Sequence, residues 1–225
     1  MPAAGGKRIR AKRPGRFHHG DLREALVLAA TRAVARLGHA SVSLRPLAEQ
    51  LGVSQPAVYR HFASREALLA EVARRTWIEI ETALLGATRG ALDRFEAAAA
   101  IARAFVRWAH ANPELFRLLS TRFVFEERKA RHPPLPREHY FHGLGGAVPI
   151  DDPMLADAFR ASWAMSHGLA TFVVERVFQL VDTDEERLAA ADGAIACFVE
   201  MLRAKWPPDG DEDAAAVSRA RRRPG

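Results

Sequence analysis

Cysteine is nearly absent: Cys197 stands alone in 225 residues. No internal disulfide can form, which fits a reducing compartment. Long hydrophobic runs are missing too, and without about 18 consecutive apolar residues no membrane-spanning helix is expected. Residues 1–17 are basic, but no apolar run follows them, so they do not read as a secretory signal. Aromatics are scarce at 8%, yet 48% of the chain is hydrophobic, enough to bury a full core without staples. Collagenous, disulfide-rich, membrane and wholly disordered classes are excluded. A soluble protein of the cytoplasm is the expectation.

Charge is unevenly distributed. Residues 1–75 carry 14 Lys and Arg against 5 Asp and Glu, whereas residues 76–218 carry 15 against 22. Four more arginines, Arg219, Arg221, Arg222 and Arg223, close the chain. Such a split suggests that the first part meets a polyanion while the second does other work. The arm at residues 1–16 holds Lys7, Arg8, Arg10, Lys12, Arg13 and Arg16 with no acid among them.

The hydrophobic pattern is helical throughout. Leu22, Leu26, Ala29, Ala30, Ala33 and Leu37 fall at steps of three and four and predict a helix over 20–37. Gly38 follows at the position of a left-handed cap. Ser43 opens a second helix with Leu44, Leu47, Ala48 and Leu51 inward. Pro46 is acceptable at its third position, where no intrahelical donor is required. A Ser43 cap would then bond the N–H of Arg45. Gly52 ends this helix, Ser54 starts a third over 55–62 with Val58 and Phe62 inward, and Ser64 caps a fourth running towards Gly86. Further helices are predicted over 91–111, 113–125, 154–181 and 185–206. Residues 131–153 hold five prolines and three glycines and read as a loop. No alternating pattern indicates a strand, so the fold class is all-α.

Two short helices joined by Leu51-Gly52-Val53-Ser54 make a helix-turn-helix, since glycine supplies the positive φ that a tight turn needs. A third helix about 12 Å long, at 1.5 Å per residue, matches the roughly 12 Å width of the DNA major groove. Ser54, Gln55, Pro56, Ala57, Tyr59, Arg60 and His61 are its outward candidates.

The longer run is more specific. Phe17-His18-His19-Gly20-Asp21-Leu22-Arg23, Ser43-Leu44-Arg45, Gly52-Val53-Ser54, Ala57-Val58-Tyr59-Arg60-His61-Phe62 and Ser64-Arg65-Glu66-Ala67-Leu68-Leu69 together resemble the TetR/AcrR family of transcriptional regulators. The resemblance covers residues 17–70. Phe17 stands where tyrosine is frequent, Pro56 where glycine or alanine is, and Arg65 where lysine is. It implies an N-terminal three-helix DNA-binding head at 17–65, a helical effector-binding and dimerisation domain at 66–206, and a polar tail at 207–225. It also implies that Ser43, Tyr59 and His61 meet phosphates and that Arg65 clamps one at the start of the fourth helix. Base reading falls to Gln55, Arg45 and Arg60, Gln towards adenine and Arg towards guanine. Pro56 offers no N–H to DNA. Tyr59 half in the core and Arg60 over a phosphate remain alternatives.

Downstream, Trp163-Ala-Met-Ser-His167-Gly168 resembles the Trp–His–Gly signature of one type of C-terminal domain in that family. Trp163 and His167 share a helix face, and Gly168 would let another helix approach. With Trp77, Phe105, Trp108, Phe116 and Phe123, they are candidates to wall an apolar effector pocket; plain core packing, with His167 on a carbonyl, is the alternative. Phe159 and Phe172 join that aromatic set. His132, His139 and His142 lack metal-ligand spacing, so neither metal nor cofactor is expected. Cys197 reads as a small buried hydrophobe. The last two helices carry Leu155, Phe159, Ser162, Leu169, Val173 and Val177, then Leu188, Ile195, Val199 and Leu202. The resemblance implies that this pair builds a four-helix bundle with its copy in a homodimer on a palindromic double-stranded operator, at the bacterial nucleoid. The function expected is a DNA-binding regulator, a repressor released by a small-molecule effector. A ligand-insensitive architectural DNA-binding protein is the alternative. A small helical enzyme finds no paired acid and base, phosphate loop or activated nucleophile.

Overall fold

The computed structural model describes residues 19–121, Val124, 153–178 and 182–205. Eight α-helices stand among them: α1 His19–Leu37, α2 Leu44–Leu51, α3 Gln55–Tyr59, α4 Arg65–Ala87, α5 Arg94–Ala111, α6 Pro113–Leu119, α7 Pro153–Val174 and α8 Asp184–Lys205. A single 3-10 turn, His39–Ser41, links α1 to α2. No strand occurs among the described residues, so the chain is all-α. The arm at 1–16, most of the proline-rich loop with its three histidines, Phe123 and the polar tail lie outside the described residues.

Local chemistry explains most boundaries. Gly38 takes φ 76 and ψ 153, a conformation open to glycine and costly for other residues. Its N–H donates to the Val34 carbonyl at 2.9 Å. A β-carbon there would lie 2.8 Å from Glu114 Oε2, a contact the flexible glutamate could relieve, so the backbone conformation is what calls for glycine. Gly52 is left-handed, φ 67 and ψ 30, and closes α2. Asp93 Oδ1 accepts from the N–H groups of Phe95 and Glu96, both at 2.8 Å, and so starts α5. Thr183 and Glu186 cap α8 reciprocally, at 3.2 and 3.0 Å.

α5 lies at the centre, packed on α4, α7 and α8, while α1 packs on α4 and α6. One continuous core runs from Leu22 in α1 to Val199 in α8. Ion pairs reinforce it at the rim: Arg107 to Asp192 at 2.5 Å joins α5 to α8, and Arg117 to Glu175 at 2.8 Å joins α6 to the residue after α7.

Several expectations change. Leu37 and Leu85 are exposed, and Val27 and Val34 take core positions on α1 instead. α6 ends at Leu119, six residues before 125. α7 ends at Val174 because Arg176 adopts a left-handed φ of 56, a non-glycine stop. Cys197 is exposed on α8. Leu169, Val173, Ile195 and Val199 are buried in the chain's own core. No helix among the described residues is long and apolar enough to cross a membrane.

Candidate DNA interface and the ring cluster behind it

Leu44, Leu47 and Ala48 of α2 face Ala57 and Val58 of α3, with Phe62 beneath them, all buried. Small Ala48 lets the chain double back: its carbonyl accepts from the Val53 N–H at 3.0 Å. α3 is five residues long, shorter than the predicted 55–62, because the chain must leave the helix to bury Phe62 and reach the cap of α4 at Ser64. Arg60 keeps helical dihedrals, φ −66 and ψ −23. The Phe62 N–H still bonds the Val58 carbonyl at 3.0 Å, so the outward face extends one residue past the helix. That face carries Gln55, Pro56, Tyr59 and Arg60, all exposed, with Tyr59 at 51%. His61 is half-buried beside it. Ala57, expected to face outward, is only 7% exposed and belongs to the core, because tertiary packing turns it towards α2.

The three capping serines differ. Ser64 Oγ accepts from the Ala67 N–H at 3.1 Å. Ser43 and Ser54 are exposed, extended N-caps whose side chains make no capping bond. The expected bond from Ser43 to the Arg45 N–H is therefore absent, and both hydroxyls stand at helix starts where an anion is favoured. Arg45 is exposed and, among the described residues, held only by an i,i+4 pair with Glu49 at 3.0 Å, weak enough for a phosphate or base to displace. Arg65 is differently placed. Its Nε donates to the Val42 carbonyl at 2.7 Å, Nη2 to the His39 carbonyl at 2.5 Å and Nη1 to Glu66 at 3.2 Å.

A charged knot fastens this head to α4. Glu71, only 11% exposed, accepts from Arg74 at 2.8 Å, Arg75 at 3.0 Å and Arg23 of α1 at 3.2 Å. Arg75 also reaches Glu24 of α1 at 2.5 Å, and the Arg23 guanidinium lies 5.1 Å from the Phe62 ring centre. The bond from Arg74, followed by those from Arg75 and Arg23, holds the Glu71 carboxyl down to about 2, against an ordinary 4.5. A depressed carboxylate contributes stability that is complete above its unfolded value and lost as pH falls through 4.5 towards 2. Glu71→Gln should therefore cost about 1–2 kcal/mol near pH 7, after allowance for solvent screening. The gap to wild type should narrow by pH 3. Urea midpoints of both proteins at the two pH values test this, and a gap independent of pH would refute it.

Behind the head, five rings from four helices meet. Phe105 of α5 lies 6.3 Å from Trp77 of α4, 6.1 Å from Phe116 of α6, 5.3 Å from Trp163 and 5.0 Å from His167 of α7. Trp163 and His167 meet edge to face at 4.6 Å. The two phenyl rings are sealed, whereas Trp77, Trp163 and His167 keep part of their surface open. Burial holds the His167 imidazole below its ordinary value, so it is neutral near pH 7. Trp108 is half-buried at the edge of the core and, among the described residues, makes no ring contact with this group. Phe172 is exposed and packs on Phe178 instead, and of the Phe159 side chain nothing is described. Among the described residues nothing lies within 4 Å of a β-carbon placed on Gly168, so no described helix uses that glycine for close approach.

Residues 26–72 match the family model of bacterial regulatory proteins, tetR family, and residues 98–192 match that of the tetracyclin repressor-like C-terminal domain. No curated protein matches the chain. Solved structures do. A protein of unknown function from Rhodococcus sp. RHA1 is 29% identical, with 81% of this chain and 97% of that one covered at a TM-score of 0.56. A TetR-family transcriptional regulator from Pectobacterium atrosepticum is 22% identical, with 84% and 96% covered at 0.57. A TetR variant from Acinetobacter baumannii AYE, in complex with minocycline, is 23% identical, with 80% and 97% covered at 0.54. At those last two identities the likeness is one of fold.

Proposed function

Because the chain belongs to the TetR family of bacterial regulatory proteins, we propose that this DNA-binding transcriptional regulator is a repressor, released from a palindromic operator by a small-molecule effector. The observation that carries the reading is the run of α4. Its first turn holds Ser64 and Arg65 against the head, and three turns later Trp77 enters the ring cluster. A molecule that changes the packing of Trp77, Phe116 or His167 acts on the same rod that positions α2 and α3. For release, it must bind the DNA-competent and DNA-free arrangements with different affinity. That the Acinetobacter neighbour forms a complex with minocycline supports binding of a small molecule.

The division proposed is a head at 17–65 and an effector and dimerisation domain at 66–206, its Trp163–His167–Gly168 segment of the Trp–His–Gly type. A homodimer through α7 and α8 fits their outer faces, where Ala161, Ala164, Phe172, Gly193, Ala196, Cys197 and Met201 are exposed. On DNA, Ser43, Ser54, Tyr59 and His61 are assigned to the backbone. Gln55, Arg45 and Arg60 are assigned to bases.

Binding of the purified protein to DNA from upstream of its own gene, at two salt concentrations and against random competitor, tests the reading. Specific retention at the higher salt, lost on addition of effectors from a small-molecule screen, is the expected outcome. Binding that is wholly non-specific and vanishes with salt would favour the ligand-insensitive architectural alternative.

A further inference from the structure

Arg65 occupies the position at which the resemblance implies a phosphate clamp, yet its half-buried guanidinium is turned onto backbone carbonyls of its own chain. It spans the two ends of the 3-10 turn: Nη2 bonds the carbonyl of His39, the first residue, and Nε that of Val42, which follows the last. Its third nitrogen meets Glu66, whose carboxylate would repel an approaching phosphate. Val42 is itself buried, and the next residue is Ser43, the uncommitted cap of α2. All three guanidinium nitrogens thus already donate, through three of the five N–H groups, at the one helix start of the head whose capping serine is also internally bonded.

We propose that Arg65 is a positioning residue, a strut that fixes the α1–α2 connection, and with it Ser43 and the α2–α3 pair, against the first turn of α4. This rests on the DNA-binding reading above. The planar fork is what the task requires, because two carbonyls three residues apart must be held at once from one side chain. A lysine offers three donors from a single point and cannot span them in a fixed plane. A phosphate contact is less demanding, since lysine can also serve it, as a point charge.

Arg65→Lys and Arg65→Met therefore separate the two roles in the full-length protein. The probes are a duplex selected by the wild-type chain from a random pool and an unselected random duplex. With a strut, both variants lose about tenfold or more on the selected duplex, and the ratio of selected to random binding falls. The salt slope on random DNA stays at its wild-type value. In the free protein, amides of residues 38–45 exchange faster while those of α5 and α8 do not. With a clamp, Arg65→Lys behaves like wild type, Arg65→Met lowers the salt slope by about 0.9 per head, and exchange is unchanged. Either of the first two clamp results overturns the proposal, as does wild-type exchange in both variants. Failure of the wild type to prefer any duplex would instead count against the DNA reading, and the exchange measurement would still judge the strut.

Discussion

Phe105→Ala is expected to lower stability by about 3–5 kcal/mol, the range for truncating a sealed phenyl in a packed core. The ring is 1% exposed and touches four others, Trp77, Phe116, Trp163 and His167, from three neighbouring helices. Removing it deletes edge and offset contacts worth about 0.5–1.5 kcal/mol beyond their area, and leaves a hole that four helices would have to collapse to fill. Thermal unfolding should report a midpoint roughly 10 °C lower, at about 2–4 °C per kcal/mol for a chain of this size. Phe105→Leu, which keeps most of the volume, should lose under about 1.5 kcal/mol. The size of the alanine effect also bears on the effector. A loss below about 1 kcal/mol would mean that Phe105 already borders open space, because a ring facing a cavity has few neighbours to forfeit.

The cluster shows where sequence reasoning reaches and where it stops. Trp163 and His167 are four residues apart, so their contact follows from helical spacing alone. That Phe105 and Phe116 close over His167 depends on how α5, α6 and α7 cross, and no local pattern encodes that crossing. Trp108, only three residues from Phe105, sits at the core edge instead. Helix boundaries divide in the same way. Ser64, Gly38 and Gly52 are legible because each solves a backbone problem within its own turn. The Thr183 and Glu186 pair was an equally local signal, and reading it would have moved the start of α8 to Asp184. Arg176 carried none, since a left-handed arginine looks like any other helical residue.

In the head, neither the inward turn of Ala57 nor the backbone partners of Arg65 are legible in the sequence. On a five-residue helix there is too little periodicity to say which side is inward, and tertiary packing on α2 decides it. Arg65 finds its partners 23 and 26 residues away, at carbonyls that every residue possesses and no sequence marks. Ser43 and Ser54 differ from Ser64 only in having no capping bond, a fact visible in geometry and not in residue type.

Arg60→Ala should have the largest effect on DNA binding. Arg60 is exposed, retains helical dihedrals at the end of α3 and stands beside Tyr59 on the outward face. Arg45, the other arginine assigned to bases, must first surrender its pair with Glu49. A bidentate contact to guanine N7 and O6 is worth about 1–3 kcal/mol of discrimination. A dimer on a palindrome makes that contact twice, at sites far enough apart to add, so the complex should weaken by roughly 2–6 kcal/mol on its selected duplex. Random duplex should lose far less. Arg60→Lys restores the charge but not the fork, so it should recover binding to random DNA and little of the preference. Changing the contacted base pair should weaken the wild-type protein and leave Arg60→Ala almost unaffected, because the partner is already gone. Equal losses on selected and random duplex would place Arg60 over a phosphate and leave Gln55 as the exposed base reader on α3 itself.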